Sequence, residues 1–234
     1  MRVQLMLTCL CDAFFGEVGI ATVRILEHAG CTVVFPEKQT CCGQPPFNAG
    51  DWAASKLVAQ SCINFFDPSI AIVTPSASCA AMLRHGYPMI GLTAPRVFEL
   101  SEFMLDELGV DRWPINGNRV SKKRRIAFHR ACHGRMMHLG DRQERFVALA
   151  KGIEFIPFEQ TDQCCGFGGA FSVGHPTVSS DIGLEKLRNV LLAGADTLVS
   201  GDMGCLMHLN GLIERERLSI RTMHYAQLMA EVLE

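Results

Sequence analysis

The 234-residue sequence carries almost no net charge: 22 Lys and Arg stand against 24 Asp and Glu, a formal charge of −2. No global basic field is present to recruit nucleic acid or anionic lipid. No run of 18 or more predominantly apolar residues occurs, and long uncharged stretches such as 163–180 are rich in Gly, Ser and Thr, so nothing reads as a bilayer span. An export signal is missing as well. The opening MRVQLMLTCLCDAFF holds one Arg, an apolar stretch broken by Thr8 and Asp12, and no small-residue cleavage site, so a cytoplasmic location is expected. Nucleotide motifs are absent too: there is no Walker A pattern, and in Gly166-Phe167-Gly168-Gly169 the third glycine position of a dinucleotide loop falls on Phe171. Hydride transfer to a bound NAD or flavin is therefore not supported. No Ser-His-Asp or paired-carboxylate pattern stands out.

What is present in excess is cysteine, with 11 residues. At 48% hydrophobic and 20% charged the chain is globular rather than disordered, and its length suits one large domain or two small ones. In a reducing compartment so many thiols point to metal binding or redox chemistry before a disulfide framework.

The spacing of the cysteines shows a duplication. Cys9 lies 32 positions before Cys41-Cys42-Gly43, and Cys132 lies 32 positions before Cys164-Cys165-Gly166; a lone Cys79 or Cys205 follows each triplet. Composition alone supplies about 0.05 Cys-Cys-Gly triplets in such a chain, so two at matched spacing mark a repeat. The flanking pattern agrees, with short apolar strands alternating with longer amphipathic helices in the same order in both halves. The first half reads as strand 3–7, helix 16–29, strand 32–35, the Cys41 loop, helix 51–66 and strand 70–74. The second reads as strand 125–128, helix 141–150, strand 153–156, the Cys164 loop, helix 178–192 and strand 197–200. Phe98, Ser101 and Phe103 match Met223, Ala226 and Leu228 and are assigned to closing helices. The fold class expected is α/β, with two pseudo-symmetric repeats of parallel sheet covered by helices. The repeats span 1–112 and 124–234. A linker at 113–123 is punctuated by Trp113-Pro114 and Asn116-Gly117, and the basic run Lys122-Lys123-Arg124-Arg125 is read as its solvated end.

Each of the eight repeated cysteines falls at a strand-to-helix transition. Parallel strands deliver their carboxyl ends to one edge, so three separate loops converge there in each half. Four converging thiolates are the ligand set of an iron–sulfur cluster or a tetrahedral zinc site, and their softness excludes magnesium and calcium. The candidate ligands are Cys9, Cys41, Cys42 and Cys79 in one half and Cys132, Cys164, Cys165 and Cys205 in the other. Gly43, Gly166, Gly168 and Gly169 permit tight turns that aim backbone N–H groups at cluster sulfurs, and Met6, Met203 and Met207 are read as apolar cover. Cys31 and Cys62 are read as small buried hydrophobes. A thiol–disulfide enzyme using the vicinal pairs is the competing reading, weakened because neither half carries Cys-x-x-Cys. His129 and His133 flank Cys132, and His208 lies one helical turn beyond Cys205. Each is a candidate proton acceptor or hydrogen-bond donor to a ligand, weighed against a packing role.

The strings TCLCDAFFGEVGIATVRILEHAGC, CCGQPPFNAG, TPSASC, CCGFGGAFSV and GCLM make the sequence resemble the lactate utilisation protein A family over nearly its whole length. This family has a duplicated cysteine-rich CCG domain, related to the one found in heterodisulfide reductase. The resemblance implies a cytoplasmic subunit that, with an iron–sulfur B protein and a C protein, oxidises L-lactate, a small 2-hydroxy acid, to pyruvate. It also implies iron–sulfur cofactors and an electron-transfer role for a chain inactive alone. The full family motif ends in Cys-x-x-Cys, and here Ser76 and Asp202 stand where the first of those cysteines belongs. With four thiols per half, one [4Fe-4S] cube per repeat is the simpler expectation, zinc in a scaffold without redox role being the alternative. Ser76 and Asp202 are expected to cap the helices that follow them rather than to ligate through oxygen.

Overall fold

A computed structural model of the protein describes residues 1–115 and 123–233. Among the described residues eight strands form two sheets: β1 (Arg2–Leu5), β2 (Thr32–Val34), β3 (Ile72–Thr74) and β4 (Val97–Glu99) in the first half, β5 (Arg124–His129), β6 (Ile153–Phe155), β7 (Thr197–Ser200) and β8 (Arg221–His224) in the second. The orders are β2-β1-β3-β4 and β6-β5-β7-β8, so the duplication read from the cysteines is a duplication of topology. Every pairing is parallel, with Val3 opposite Val33, Val73 opposite Phe98 and Val199 opposite Met223. β3 and β7 are buried throughout because helices cover both faces of a parallel sheet, and their residues are accordingly apolar or small.

The long helices follow their apolar stripes. Helix Gly16–His28 turns Val18, Ala21, Thr22, Ile25 and Leu26 inward. Helix Trp52–Ile63 starts where the Asp51 carboxylate accepts from Ala54 N at 3.0 Å, and it buries Ser55, Ala59 and Cys62. Helix Pro176–Leu192 carries Ser179, Gly183, Lys186, Leu187 and Val190 on its inner stripe.

Two differences from the sequence expectation stand out. Phe98 and Met223 lie in strands β4 and β8 rather than in closing helices, although the correspondence between them holds. Each strand runs without a turn into a helix capped by its own last residue, Glu99 or His224, so the apolar pattern passes from one period to the other unpunctuated. Of the expected linker, Asn116-Gly117 and Lys122 lie outside the described residues. Trp113 is buried in the main core and donates through Nε1 to Met229 O at 2.9 Å. Two charges of the basic run open β5, with Arg124 paired to Glu231 at 2.5 Å and Arg125 set 4.0 Å from Glu154.

The halves are packed reciprocally. Helix Tyr225–Glu231 of the second repeat lies on helix Gly16–His28 of the first, and the helical segment Leu100–Glu107 of the first lies on helix Arg142–Ala148 of the second. One core cluster includes Val3, Leu26, Phe103, Trp113, Phe146, Tyr225 and Met229, so residues of both repeats share it. At its polar end the buried Glu99 carboxylate accepts from Tyr225 Oη at 2.5 Å, Gln143 Nε2 at 3.1 Å and Ser101 N at 2.8 Å. Close by, His224 accepts from Ala226 N at its Nδ1, so its proton sits on Nε2, which donates to Pro75 O at 2.9 Å.

Burial pushes the Glu99 carboxyl above its ordinary value of 4.5. The folded protein then holds this proton more tightly than the unfolded chain. Stability is expected to be greatest below pH 4.5 as far as this group is concerned, and to fall as pH rises from there through the raised folded value. Urea unfolding across pH should show that slope in the wild type and lose it in Glu99→Gln. Glu99→Ala strands buried donors on Ser101, Gln143 and Tyr225 and should lower stability by about 3 kcal/mol.

Candidate functional site

Each cysteine of the first quartet is placed by a strand end. Cys9 opens the helix Cys9–Phe14 after β1, with Thr8 Oγ1 accepting from Cys11 N at 3.2 Å. Cys41 and Cys42 follow β2. Cys79 sits in the helix Ala77–Ala81 after β3, where Ser76 Oγ caps its N–H at 3.3 Å. The second quartet repeats this, with Cys132 opening the helix Cys132–Met136 after β5, Cys164 and Cys165 after β6, and Cys205 in helix Met203–Glu216 after β7.

The vicinal pairs turn on Gly43 and Gly166, whose φ angles are +87° and +92°. A Cβ at either would run into a backbone oxygen of the facing helix, Ser55 O in one half and Ser179 O in the other. The same two serines tie the turns down, Ser55 Oγ donating to Gly43 O at 2.9 Å and Ser179 Oγ to Gly166 O at 2.8 Å. The repeat therefore extends to a serine latch that spacing did not reveal.

All eight cysteines line one cavity of about 290 Å³. The sequence places one site in each half; the structure turns both carboxyl edges toward each other, so the two quartets form walls of a shared space. Asp202 bridges it: one carboxylate oxygen caps Gly204 N at 3.2 Å within its own half, and the other accepts from Ser78 N of the first half at 3.1 Å. Ser76 and Asp202 thus act as helix caps, as expected. A second bridge runs from Gln44 Nε2 to His133 Nε2, 2.9 Å apart. With that nitrogen accepting, the imidazole proton lies on Nδ1, facing Cys132 Sγ at 3.7 Å.

All eleven cysteines are free thiols. In the first quartet Cys41 is the most acidic group. Thiols of Cys42 and Cys9 donate to it, and the N–H groups of Gly43 and Gln44 add to them, holding it at about 3 against the opposing effect of burial. Cys9 and Cys42 are raised in turn, chiefly because each donates its proton to Cys41. Cys42 Sγ lies 3.5 Å from Cys79 Sγ. In the second quartet Cys165 Sγ lies 2.7 Å from Cys205 Sγ, Gly166 N donates to Cys164 Sγ at 3.3 Å, and Cys164 is raised by its bond to Cys165 and by burial. Cys132 lies on the same cavity wall but is exposed.

Two further groups surround the second quartet. His129, the last residue of β5, is buried with neither ring nitrogen hydrogen-bonded, and one of its nitrogens and the sulfurs of Cys165 and Cys205 all lie within 4.8 Å of one another. Burial pushes its pKa down to about 3, so the ring is neutral and able to accept. Lys186 is fully buried and donates to Thr161 O at 3.2 Å and Gln160 O at 3.4 Å. Burial lowers it to about 8, while Cys165, Cys205 and Cys164 favour its charged form. Sequence reasoning missed Lys186, and the signal was there: a lysine on the apolar stripe of its helix. Among the other expectations, Met6 packs with Cys42 and Cys79, and Met203 lines the cavity. Met207 lies outside the cavity lining, and His208 hydrogen-bonds to Ser179 O at 3.3 Å on another surface. Cys31 and Cys62 are buried packing residues. Cys11, which spacing does not single out, packs against Met203 and Leu206 of the other half, and burial pushes its thiol up to about 12.

Crowded unoxidised thiols and an unpartnered buried imidazole fit a soft or borderline metal. The class defined is a duplicated α/β protein whose two sheet edges present a cysteine-rich metal-binding pocket. Residues 3–84 and 126–210 each match the family model of the CCG cysteine-rich domain. The chain is 40% identical to lactate utilization protein A of Geobacillus kaustophilus (strain HTA426), over 98% of both chains. It is 36% identical to that of Oceanobacillus iheyensis, over 98% of this chain and 96% of the relative. A solved hypothetical protein from Helicobacter pylori shares the fold with TM-score 0.58 and 10% identity, aligned over 98% of this chain and 49% of its own. The chain belongs to the lactate utilization protein A family. Among the described residues no helix is long and apolar enough to cross a membrane.

Gly166→Ala is expected to lower stability by about 2 kcal/mol, from a strained left-handed backbone and the clash with Ser179 O; Ser179→Ala, losing the hydroxyl's bond to Gly166 O and its longer contact with His208, by about 1 kcal/mol. Denaturant midpoints of the metal-free protein measure both, and equal effects would mean the turn is not strained.

Proposed function

We propose that the protein is the cytoplasmic iron–sulfur electron-transfer component of an L-lactate-oxidising complex, working with an iron–sulfur B protein and a C protein and inactive alone. The observation that carries this reading is the gathering of all eight repeated thiols on one cavity. Each repeat, 1–112 and 124–234, supplies one centre: Cys9, Cys41, Cys42 and Cys79 hold the first, and Cys132, Cys164, Cys165 and Cys205 the second. A [4Fe-4S] cluster on each quartet supplies one-electron acceptance and release. The residues around the quartets do the rest. Backbone N–H groups after the Cys-Cys pairs point at sulfur, Lys186 places a positive charge beside the second quartet, and Asp202 holds the two edges in register. Of the three histidines near the ligands, His133 alone lines the cavity, and a 2-hydroxy acid that displaced Gln44 from its Nε2 would find a proton acceptor there. Facing centres suit a two-electron substrate whose electrons leave singly.

Anaerobically purified protein should be brown and contain iron and acid-labile sulfide, and Cys41→Ala or Cys165→Ala should each remove about half of both. A colourless, fully occupied zinc protein from iron-replete cells would exclude electron transfer, and a metal-free protein with reversible vicinal disulfides would favour thiol exchange. Because Cys9 and Cys42 hold their protons above the ordinary range, cluster uptake should release protons. Reconstitution yield is therefore expected to rise from pH 6 to pH 8, because both thiols stay protonated across that range in the metal-free protein and binding must displace their protons.

A further inference from the structure

The two quartets are alike in cysteine but not in what lies beneath them. The 123-residue offset that relates Cys9 to Cys132 relates Met6 to His129. Both side chains are fully buried behind the vicinal pair and the lone cysteine of their own half. Met6 packs with Cys42 and Cys79 and offers only a thioether, which an apolar cluster satisfies. His129 occupies the equivalent place with two polar nitrogens and no hydrogen bond to either. A buried imidazole without a partner forfeits its hydrogen bonds to water for nothing, unless something in the site takes a lone pair or a proton from it. One of its nitrogens lies within 4.8 Å of the sulfurs of both Cys165 and Cys205, the spacing of groups that share one metal ion. Cys132 is exposed, as are Cys9 and Cys164, but its sulfur alone lies next to an imidazole nitrogen, His133 Nδ1 at 3.7 Å.

We propose that His129 is a nitrogen ligand of the second-half centre, bound together with Cys165 and Cys205 and taking the place given above to Cys132, so that the protein holds one all-sulfur centre and one mixed nitrogen–sulfur centre. The inference rests on the proposal that the thiols of the second half bind metal. A neutral imidazole donates less charge than a thiolate, so the mixed centre takes an electron more readily than its partner, and the pair has a built-in direction. Histidine at the end of β5 is thereby a device for making duplicated halves unequal.

The test uses the full-length protein purified without oxygen. Iron, zinc and acid-labile sulfide are counted first, which decides the iron–sulfur reading independently of the ligand question. X-ray absorption at the edge of whichever metal is present is then compared for wild type, His129→Met and His133→Gln. A light-atom shell at the roughly 2.0–2.1 Å of a metal–imidazole bond is expected in wild type and His133→Gln and should vanish in His129→Met, which installs the residue of the first half. On an iron centre, nitrogen-15 histidine should change the pulsed EPR pattern of reduced wild type and of His133→Gln, a readout that needs no substitution at the buried position. In His129→Met the two reduction steps should move together. An all-sulfur shell in wild type, or a nitrogen shell lost in His133→Gln, overturns the proposal. Zinc with a nitrogen shell supports it while overturning the iron–sulfur reading; protein that binds no metal overturns both.

Discussion

The carboxyl edges of the two sheets are held face to face, and the rest of the molecule is arranged around that junction. Its polar anchor is the buried Glu99 carboxylate at the end of β4, which collects donors from Ser101 in its own half and from Gln143 and Tyr225 in the other. A carboxylate taken out of water is tolerated only when such donors surround it, so the group specifies one relative placement of the halves. His224 reaching Pro75 O and Asp202 reaching Ser78 N lie at the ends of neighbouring strands and act in the same direction. Were the edges to slide apart, the cavity would open and the two sets of thiols would part.

This arrangement explains why so much sulfur is confined to so little space. Parallel strands put the loops at one edge, glycines with left-handed backbone turn each vicinal pair, and serines from the covering helices fasten those turns. Within the first quartet Cys41 is pulled down by the hydrogen bonds of its neighbours, while Cys9 and Cys42 are pushed up by giving them. The second has a different electrostatic neighbourhood, with Lys186 and a neutral His129 beside it.

Much of this was legible beforehand. The matched distances from Cys9 to Cys41 and from Cys132 to Cys164 exposed the duplication, and strand-to-helix placement gave the convergence of loops within each half. Ser76 and Asp202 read correctly as caps because their position before a helix is a local property. What could not be read were relations between halves: nothing in a one-dimensional pattern says that Cys79 and Cys205 share a cavity or that Gln44 meets His133. β4 and β8 were hidden for a different reason. They are no shorter than the strands that were read, but they pass directly into helices with no turn residue between, so their pattern merges with the helical one. Trp113 was obscured by Pro114, which reads as linker while its neighbour is buried in the core.

The exchange of closing helices, each repeat laying its last helix on the other repeat's first long one, gives the molecule the interface of a two-fold dimer inside a single polypeptide. A chain with only one repeat, pairing with its own copy, would build the same cavity, but symmetry would oblige its two walls to be identical. Covalent fusion lifts that obligation. Position 6 and position 129 are then free to hold different residues, and an asymmetric pair of sites becomes available to a fold that began with none.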